Sequence, residues 1–254
     1  TGNMYSPFPE EINRKLTGGI AKMHFTPTEL SRTNLLDEGI LSDNICVCGN
    51  TVIDALLLIK QKITSDKMLQ AELASKFNFI NFNKDIVLVT GHRRENFGSG
   101  FEEICKALMR LAESQRDIQI VYPVHLNPSV QAPVQKYLRG YSNIHLIEPL
   151  EYLPFTFLMT KSTIILTDSG GIQEEAPSLG IPVLLMRENT ERPEAVKAGT
   201  VKLVGTSAEN IVKNSMSLLS DQKMYEKMSK SENPYGAGDT SSKIVEWIRK
   251  YYAN

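Results

Sequence analysis

The chain has 254 residues, 41% hydrophobic and 22% charged, with a formal net charge of −1 at pH 7. This composition suits a folded protein with a sizeable core and excludes a disordered or fibrous chain. The near-neutral charge gives no general attraction for nucleic acid or for an anionic membrane surface, and no apolar run approaches the length needed to span a bilayer.

The length suits one and a half to two domains. The chain opens at Thr1 rather than at a methionine, so residues 1–49 read as the end of a preceding domain. They offer a Pro-rich loop (5–9), a helix near 10–16, a second near 28–38 and one short strand, which is too little for an independent core. Glu10 and Glu11 open the first helix, where acids ordinarily serve the macrodipole. Cys46, Cys48 and Cys105 form no disulfide framework. Cys46 and Cys48, in strand-like ICVCGN, share one face and read as small core residues, and a cytoplasmic setting follows. No secretory signal is visible.

Residues 50–62 predict a helix leading into a second region, 50–238. There apolar segments recur at 85–90, 118–122, 144–147, 163–167, 182–186 and 201–204. Helical patterns lie between them, at 101–113, 128–138 and 152–159. FEEICKALMRLAE has apolar residues at helical spacing, acids early and a base late. Alternating strand and helix predicts an α/β fold: a Rossmann-like, doubly wound parallel sheet with ligands at the carboxyl ends of its strands. Residues 239–254 predict a C-terminal helix, capped by the run 239–241 and packing back toward the first region.

The most informative stretch is TIILTDSGGIQEEAPSLGIPVLL, residues 163–185. It predicts a buried strand, a turn at Ser169, Gly170 and Gly171, a short helix and a second strand. Glycine lets the backbone approach a ligand, and a helix start offers unpaired N–H groups to an anion, usually phosphate. Glu174 and Glu175 follow one turn later, placed to accept ribose hydroxyls. The plainer reading is a βα turn whose glycines cap and pack.

TGHRREN follows the 85–90 strand, placing His92 at the strand's carboxyl end. Histidine exchanges a proton near neutral pH, and Arg93 and Arg94 suit a diphosphate. The alternative is an exposed basic turn paired with Glu95. His125, in YPVHLNP, faces the same edge or only bonds backbone, while His24 and His145 read as structural. Phe155 is placed either to stack on a base or to fill the core. Arg192 reaches the same phosphates or pairs with Glu191 or Glu194. No histidine pair has metal-ligand spacing, so no catalytic metal is expected.

TGHRREN, YPVHLNP, LTDSGGIQEEAPSLGIPVLLMR, ERPEA followed by GT, and YSPFPEEINR together resemble the bacterial non-hydrolysing UDP-N-acetylglucosamine 2-epimerases, from Thr1 to near the C-terminus. The resemblance implies a GT-B architecture of two Rossmann-like domains. It implies interconversion of UDP-N-acetylglucosamine and UDP-N-acetylmannosamine by elimination and re-addition of UDP, for cell-envelope polysaccharide synthesis, without cofactor or metal. It places the diphosphate at Asp168–Gly171, the ribose at Glu175 and the uracil at Phe155. His92 and Glu10 match catalytic positions, and Arg93, Arg94 and Glu95 are candidate ligands of the diphosphate or of a substrate-like effector.

The partner implied is a UDP-sugar, with no nucleic acid or membrane. Full-length members are expected as homodimers and this chain as a monomer. The family's first domain carries further catalytic carboxylates and a basic loop residue that this chain lacks, so the chain by itself is expected to turn over no substrate. Two other functions fit the same cradle: a GT-B glycosyltransferase using a UDP-sugar, and a non-catalytic UDP-sugar-binding module.

Overall fold

The computed structural model describes residues 3–5, 8–114 and 117–253. Ser6 and Pro7, within the Pro-rich loop, lie outside them. The chain divides into two compact units, residues 1–55 with 234–254, and residues 56–233.

In the first unit, α1 (Glu10–Ile20) precedes β1 (His24–Thr26), α2 (Glu29–Asp37) and β2 (Ile45–Val47). Where the sequence predicts one strand there are two, paired in parallel with His24 opposite Ile45. A three-residue strand is too short to show an alternating pattern, and only its pairing partner reveals it. Glu11 is buried and bonded by Arg14, which also bonds Glu38. The helix α3 (Thr51–Ser65) carries the division between the units.

The second unit holds α4 (Lys67–Lys76), β3 (Asp85–Thr90), α5 (Ser99–Ser114), β4 (Ile118–Pro123), α6 (Pro128–Leu138), β5 (Ile144–Ile147), α7 (Tyr152–Thr160), β6 (Ile164–Thr167), α8 (Gly170–Glu175), β7 (Val183–Leu185), α9 (Pro193–Ala198), β8 (Val201–Leu203), α10 (Ala208–Ser220) and α11 (Gln222–Ser229). Its strands form one sheet in the order β5-β4-β3-β6-β7-β8, and every pairing is parallel. Both faces are covered, which is why the central strands are continuous apolar runs. Ile86, Val87, Leu88 and Val89 of β3 and Ile164, Ile165 and Leu166 of β6 have no exposed surface. Phe101, Ile104, Cys105, Leu108 and Leu111 recur at helical spacing along α5 and are all fully buried. At about 1.5–3 kcal/mol for each large apolar side chain removed from water, this stripe outweighs any helix propensity in placing α5.

The C-terminal helix α12 (Thr240–Ala253) belongs to the first unit. Trp247 meets the Phe25 ring edge-on at 5.5 Å, and Tyr251 stacks on Trp247 at 5.2 Å. The sequence assigns its cap to the run 239–241, but the Asp239 carboxylate pairs with Lys243 instead. The cap comes from Asp54 on α3, whose carboxylate accepts from Thr240 N at 3.2 Å and Ser241 N at 2.8 Å. Gly49, at φ +95°, leaves room for this junction, since a Cβ there would stand 2.6 Å from Thr240 Oγ1.

Burial pushes the Asp54 carboxyl upward, but the bonds from Ser241 and Thr240 outweigh it and hold the pKa below the usual carboxylate range. Its stabilising contribution is therefore complete above the unfolded-state pKa and lost as pH falls through the lower folded value. Asp54→Ala is expected to cost about 1 kcal/mol at neutral pH, as loss of a helix cap does, and nothing once the pH is below both values. Urea unfolding at several pH values measures this.

Candidate nucleotide site

The sheet order makes β3 and β6 neighbours whose chain connections run to opposite sides. Their carboxyl ends are thus a topological switch point, the place where open α/β sheets bind ligands. The loop after β3 carries His92 to Asn96, and the loop after β6 carries Asp168 to Gly171. The two strands stay in register to their last residues, Thr90 opposite Thr167, whose hydroxyls bond at 2.6 Å.

Asp168 joins the two loops. It has no exposed surface, and its carboxylate accepts from His92 N at 2.9 Å, Arg93 N at 2.8 Å and Asn96 Nδ2 at 3.3 Å. Asn96, also buried, donates in addition to the Met186 carbonyl after β7. The Tyr122 hydroxyl from β4 donates to the Gly91 carbonyl. Asp168 thus points into the fold to shape the basic loop. Of the DSGG run, residues 169–171 remain to face a ligand.

His92 is 45% exposed, and its Nδ1 lies 3.7 Å from Asp168 Oδ1, beyond hydrogen-bond reach. Its ring stacks on His125 with centroids 5.3 Å apart and planes within 13°. His125 Nδ1 accepts from Asn127 N, so His125 bonds the backbone while its ring stays beside His92. His145 bonds Gln119 within the fold, where burial lowers its pKa.

Helix α8 starts at Gly170, and the Ser169 side chain makes no capping bond. Gly170 and Gly171 have negative φ, so they are not needed for a left-handed turn. Gly170 instead allows a close approach: a Cβ there would lie 3.0 Å from the Arg192 guanidinium. Arg192, reached from the loop after β7, bonds Glu174 through Nε and lies 3.9 Å from Glu191. At six residues α8 has a short dipole, so its leading N–H groups and Arg192 supply most of the attraction for an anion.

The sequence reading missed Arg187, the residue that organises the remaining charges. It is 4% exposed and grips Glu191 with two bonds of 2.8 and 2.9 Å while Nε bonds Glu95. A guanidinium so deeply buried requires such partners. The bonds from Arg187 lead the influences that hold the Glu191 carboxyl down to about 2, despite its burial. An arginine directly after the apolar run VLLM was the available signal. Glu95 is engaged by this pair, whereas Arg94 is exposed.

Glu175, the last residue of α8, is 9% exposed and accepts the Tyr152 hydroxyl at 2.8 Å. Burial raises its pKa, the Tyr152 bond lowers it and neighbouring Glu174 raises it further. Phe155 lies partly buried on α7, three residues from Tyr152. The second unit therefore gathers His92, Arg93, Arg94, Glu95, Ser169, Gly170, Gly171, Glu175, Arg192 and Phe155 onto elements around one sheet edge. Glu10 belongs to the first unit, where it is exposed at the start of α1.

A doubly wound parallel sheet with a glycine turn and a basic loop at its switch point is a nucleotide-binding arrangement. The family described as UDP-N-acetylglucosamine 2-epimerase matches residues 1–249. The UDP-N-acetylglucosamine 2-epimerase of Salmonella typhimurium is 56% identical over 251 residues, 99% of this chain and 67% of that protein. The crystal structure of UDP-GlcNAc 2-epimerase from Neisseria meningitidis bound to UDP-GlcNAc is similar at TM-score 0.92 and 52% identity, over 98% of this chain and 67% of that one. The S. aureus MnaA–UDP co-structure is similar at TM-score 0.88 and 45% identity, over 99% of this chain and 66% of that one. This chain belongs to the UDP-N-acetylglucosamine 2-epimerase family and has its GT-B-like α/β fold. It spans about two thirds of the length of these relatives. Among the described residues no helix is long and apolar enough to cross a membrane.

Asp168→Asn keeps the shape of the side chain but sets an amide N–H₂ among N–H donors. It is expected to destabilise the fold by about 2–3 kcal/mol, the scale of losing bonds to a charged acceptor, and to speed amide hydrogen exchange at His92 and Arg93. Guanidinium unfolding and exchange mass spectrometry check both. A stable variant with unchanged loop protection would contradict the role given to Asp168.

Proposed function

We propose that the protein interconverts UDP-N-acetylglucosamine and UDP-N-acetylmannosamine, eliminating UDP across C1 and C2 and adding it back after C2 is protonated on the opposite face. The observation that carries this reading is the Asp168 clamp, which sets the His92 loop beside the Ser169–Gly171 turn in a chain of this family. In this reading Phe155 stacks on the uracil and Glu175 accepts the ribose hydroxyls. The N–H groups at Gly170 and Gly171, with the Ser169 hydroxyl and Arg192, hold the diphosphate; the Ser169 N–H is itself taken by the Thr167 hydroxyl. Arg93 and Arg94 supply further positive charge to the diphosphate or to a second, effector molecule, and Glu95 is restrained by Arg187 beside them.

A nucleoside diphosphate is already a good leaving group. Neutralising its charge as the C1–O bond breaks therefore matters as much as protonating it. His92 donates a proton or a charge-assisted hydrogen bond to the departing oxygen, and carboxylates, Glu10 among them, serve the proton at C2. The setting is cytoplasmic, in keeping with three free cysteines.

The protein, given UDP-N-acetylglucosamine in D₂O without an acceptor, is expected to produce UDP-N-acetylmannosamine and to place deuterium at C2 of both sugars. An intact, unlabelled substrate would instead favour glycosyl transfer. His92→Asn in that protein should lower kcat by about 10²–10⁴-fold, the usual contribution of a general acid or base, with UDP affinity changed much less. If kcat stays near normal and only activation by added substrate disappears, His92 serves regulation.

For the chain itself, Glu175→Ala should weaken UDP by about 1.5–3 kcal/mol and pyrophosphate by much less. Equal losses would refute the ribose assignment. Because the Glu175 pKa is raised, the anion that accepts the ribose is complete above that raised value. The affinity it confers on UDP-N-acetylglucosamine is expected to fall, as pH is lowered, sooner than for an ordinary carboxylate. Calorimetric titration across that range shows it.

A further inference from the structure

Tyr152 is an unusual surface tyrosine. The residue is 40% exposed, yet its hydroxyl donates to Glu175 Oε2 at 2.8 Å. Glu175 itself is nearly enclosed, and its other oxygen lies 3.6 Å from where a Cβ on Gly171 would stand. One carboxylate oxygen is thereby held by Tyr152 while the other borders the glycine turn. A phenol is a donor that cannot compete for the charge: burial and the Glu175 bond push the Tyr152 pKa far above its ordinary value, so the hydroxyl keeps its proton. Among the described bonds, this donor is the one that acts on the Glu175 carboxylate from its own side chain and offsets part of the cost of burying it.

Tyr152 opens α7 and Phe155 follows three residues later, on an adjoining part of the same helix surface. The helix that presents the aromatic residue also sets the angle of the carboxylate. We infer that Tyr152 is a positioning residue that holds Glu175 to receive both ribose hydroxyls, and so sets the site's preference for ribo- over 2′-deoxyribonucleoside diphosphates. This inference rests on the ribose role proposed for Glu175. A carboxylate held at a fixed angle makes two bonds to a cis-diol. A carboxylate free to rotate makes one good bond, and the 2′-hydroxyl then adds little.

The test is calorimetric binding of UDP, 2′-deoxy-UDP and pyrophosphate to the chain, to Tyr152→Phe and to Glu175→Gln, with thermal melts to verify folding. The unaltered chain is expected to prefer UDP over 2′-deoxy-UDP by about tenfold or more, the worth of one hydrogen bond to a charged acceptor. Tyr152→Phe, which keeps the ring, should lower UDP affinity by most of that factor. It should change 2′-deoxy-UDP by less than about twofold and leave pyrophosphate unchanged. Glu175→Gln should lose the same preference. If Glu175→Gln loses it while Tyr152→Phe keeps it, the ribose reading stands and the positioning role of Tyr152 is overturned. Equal weakening of UDP and 2′-deoxy-UDP by Tyr152→Phe would make its role merely structural and also overturn the inference. If Glu175→Gln binds all three ligands as the unaltered chain does, or if UDP does not bind at all, the ribose reading fails and this inference with it.

Discussion

A carboxylate enclosed without water is costly unless its oxygens are met by donors, and this constraint acts on Asp168. Two backbone N–H groups and one side-chain amide meet it, all from the loop that follows β3. The loop has no regular structure beyond a single 3-10 turn at Arg94–Asn96. Its shape is therefore dictated by the carboxylate on the neighbouring strand's end. Because Asn96 also reaches the Met186 carbonyl, the loops after β3, β6 and β7 converge through one pair of side chains. The position of every basic group near the turn depends on that convergence.

Around this anchor the charges alternate. Glu95, Arg187, Glu191, Arg192 and Glu174 are linked in series by ion pairs. Such a series compensates the burial of Arg187 without leaving an isolated charge. It also holds Arg192 over Gly170 by its bond to Glu174. The arginine is thus held close to the glycine turn. In the proposed reading, a bound diphosphate competes with Glu174 for that guanidinium. The same fold solves the opposite problem at Glu175, where burial disfavours the anion and one phenol hydroxyl offsets part of the effect.

Much of this was legible in the chain. The six sheet strands announce themselves because both faces of a parallel sheet are buried, so β3 to β8 read as short apolar runs between helical patterns. The glycine turn and the basic loop stand out because each directly follows such a run. The strands β1 and β2 are a different case. At three residues each they carry no periodic signal, and one of them was missed. The cap of α12 was misplaced for a related reason, since Asp239 looks like a cap but Asp54, far away in sequence, fulfils that role.

The sequence by itself determined the six strands of the parallel sheet, the helices α5 to α8 between them, and the family to which the chain belongs, because periodicity and contiguous motifs are local properties. Tertiary structure decided the direction in which side chains face and which distant groups meet. Asp168 stands in a motif that reads as phosphate-binding, yet its carboxylate turns into the fold, since the sheet brings the N–H groups of His92 and Arg93 within 3 Å of it. Tyr152 and Asn96 carry no local signature of their roles, and Arg187 shows only its place behind an apolar run. Arg187 reaches Glu95 across 92 residues as well as nearby Glu191, and the partners of Tyr152 and Asn96 lie 23 and 72 residues away along the chain. Long-range electrostatic complementarity is written only in the folded arrangement.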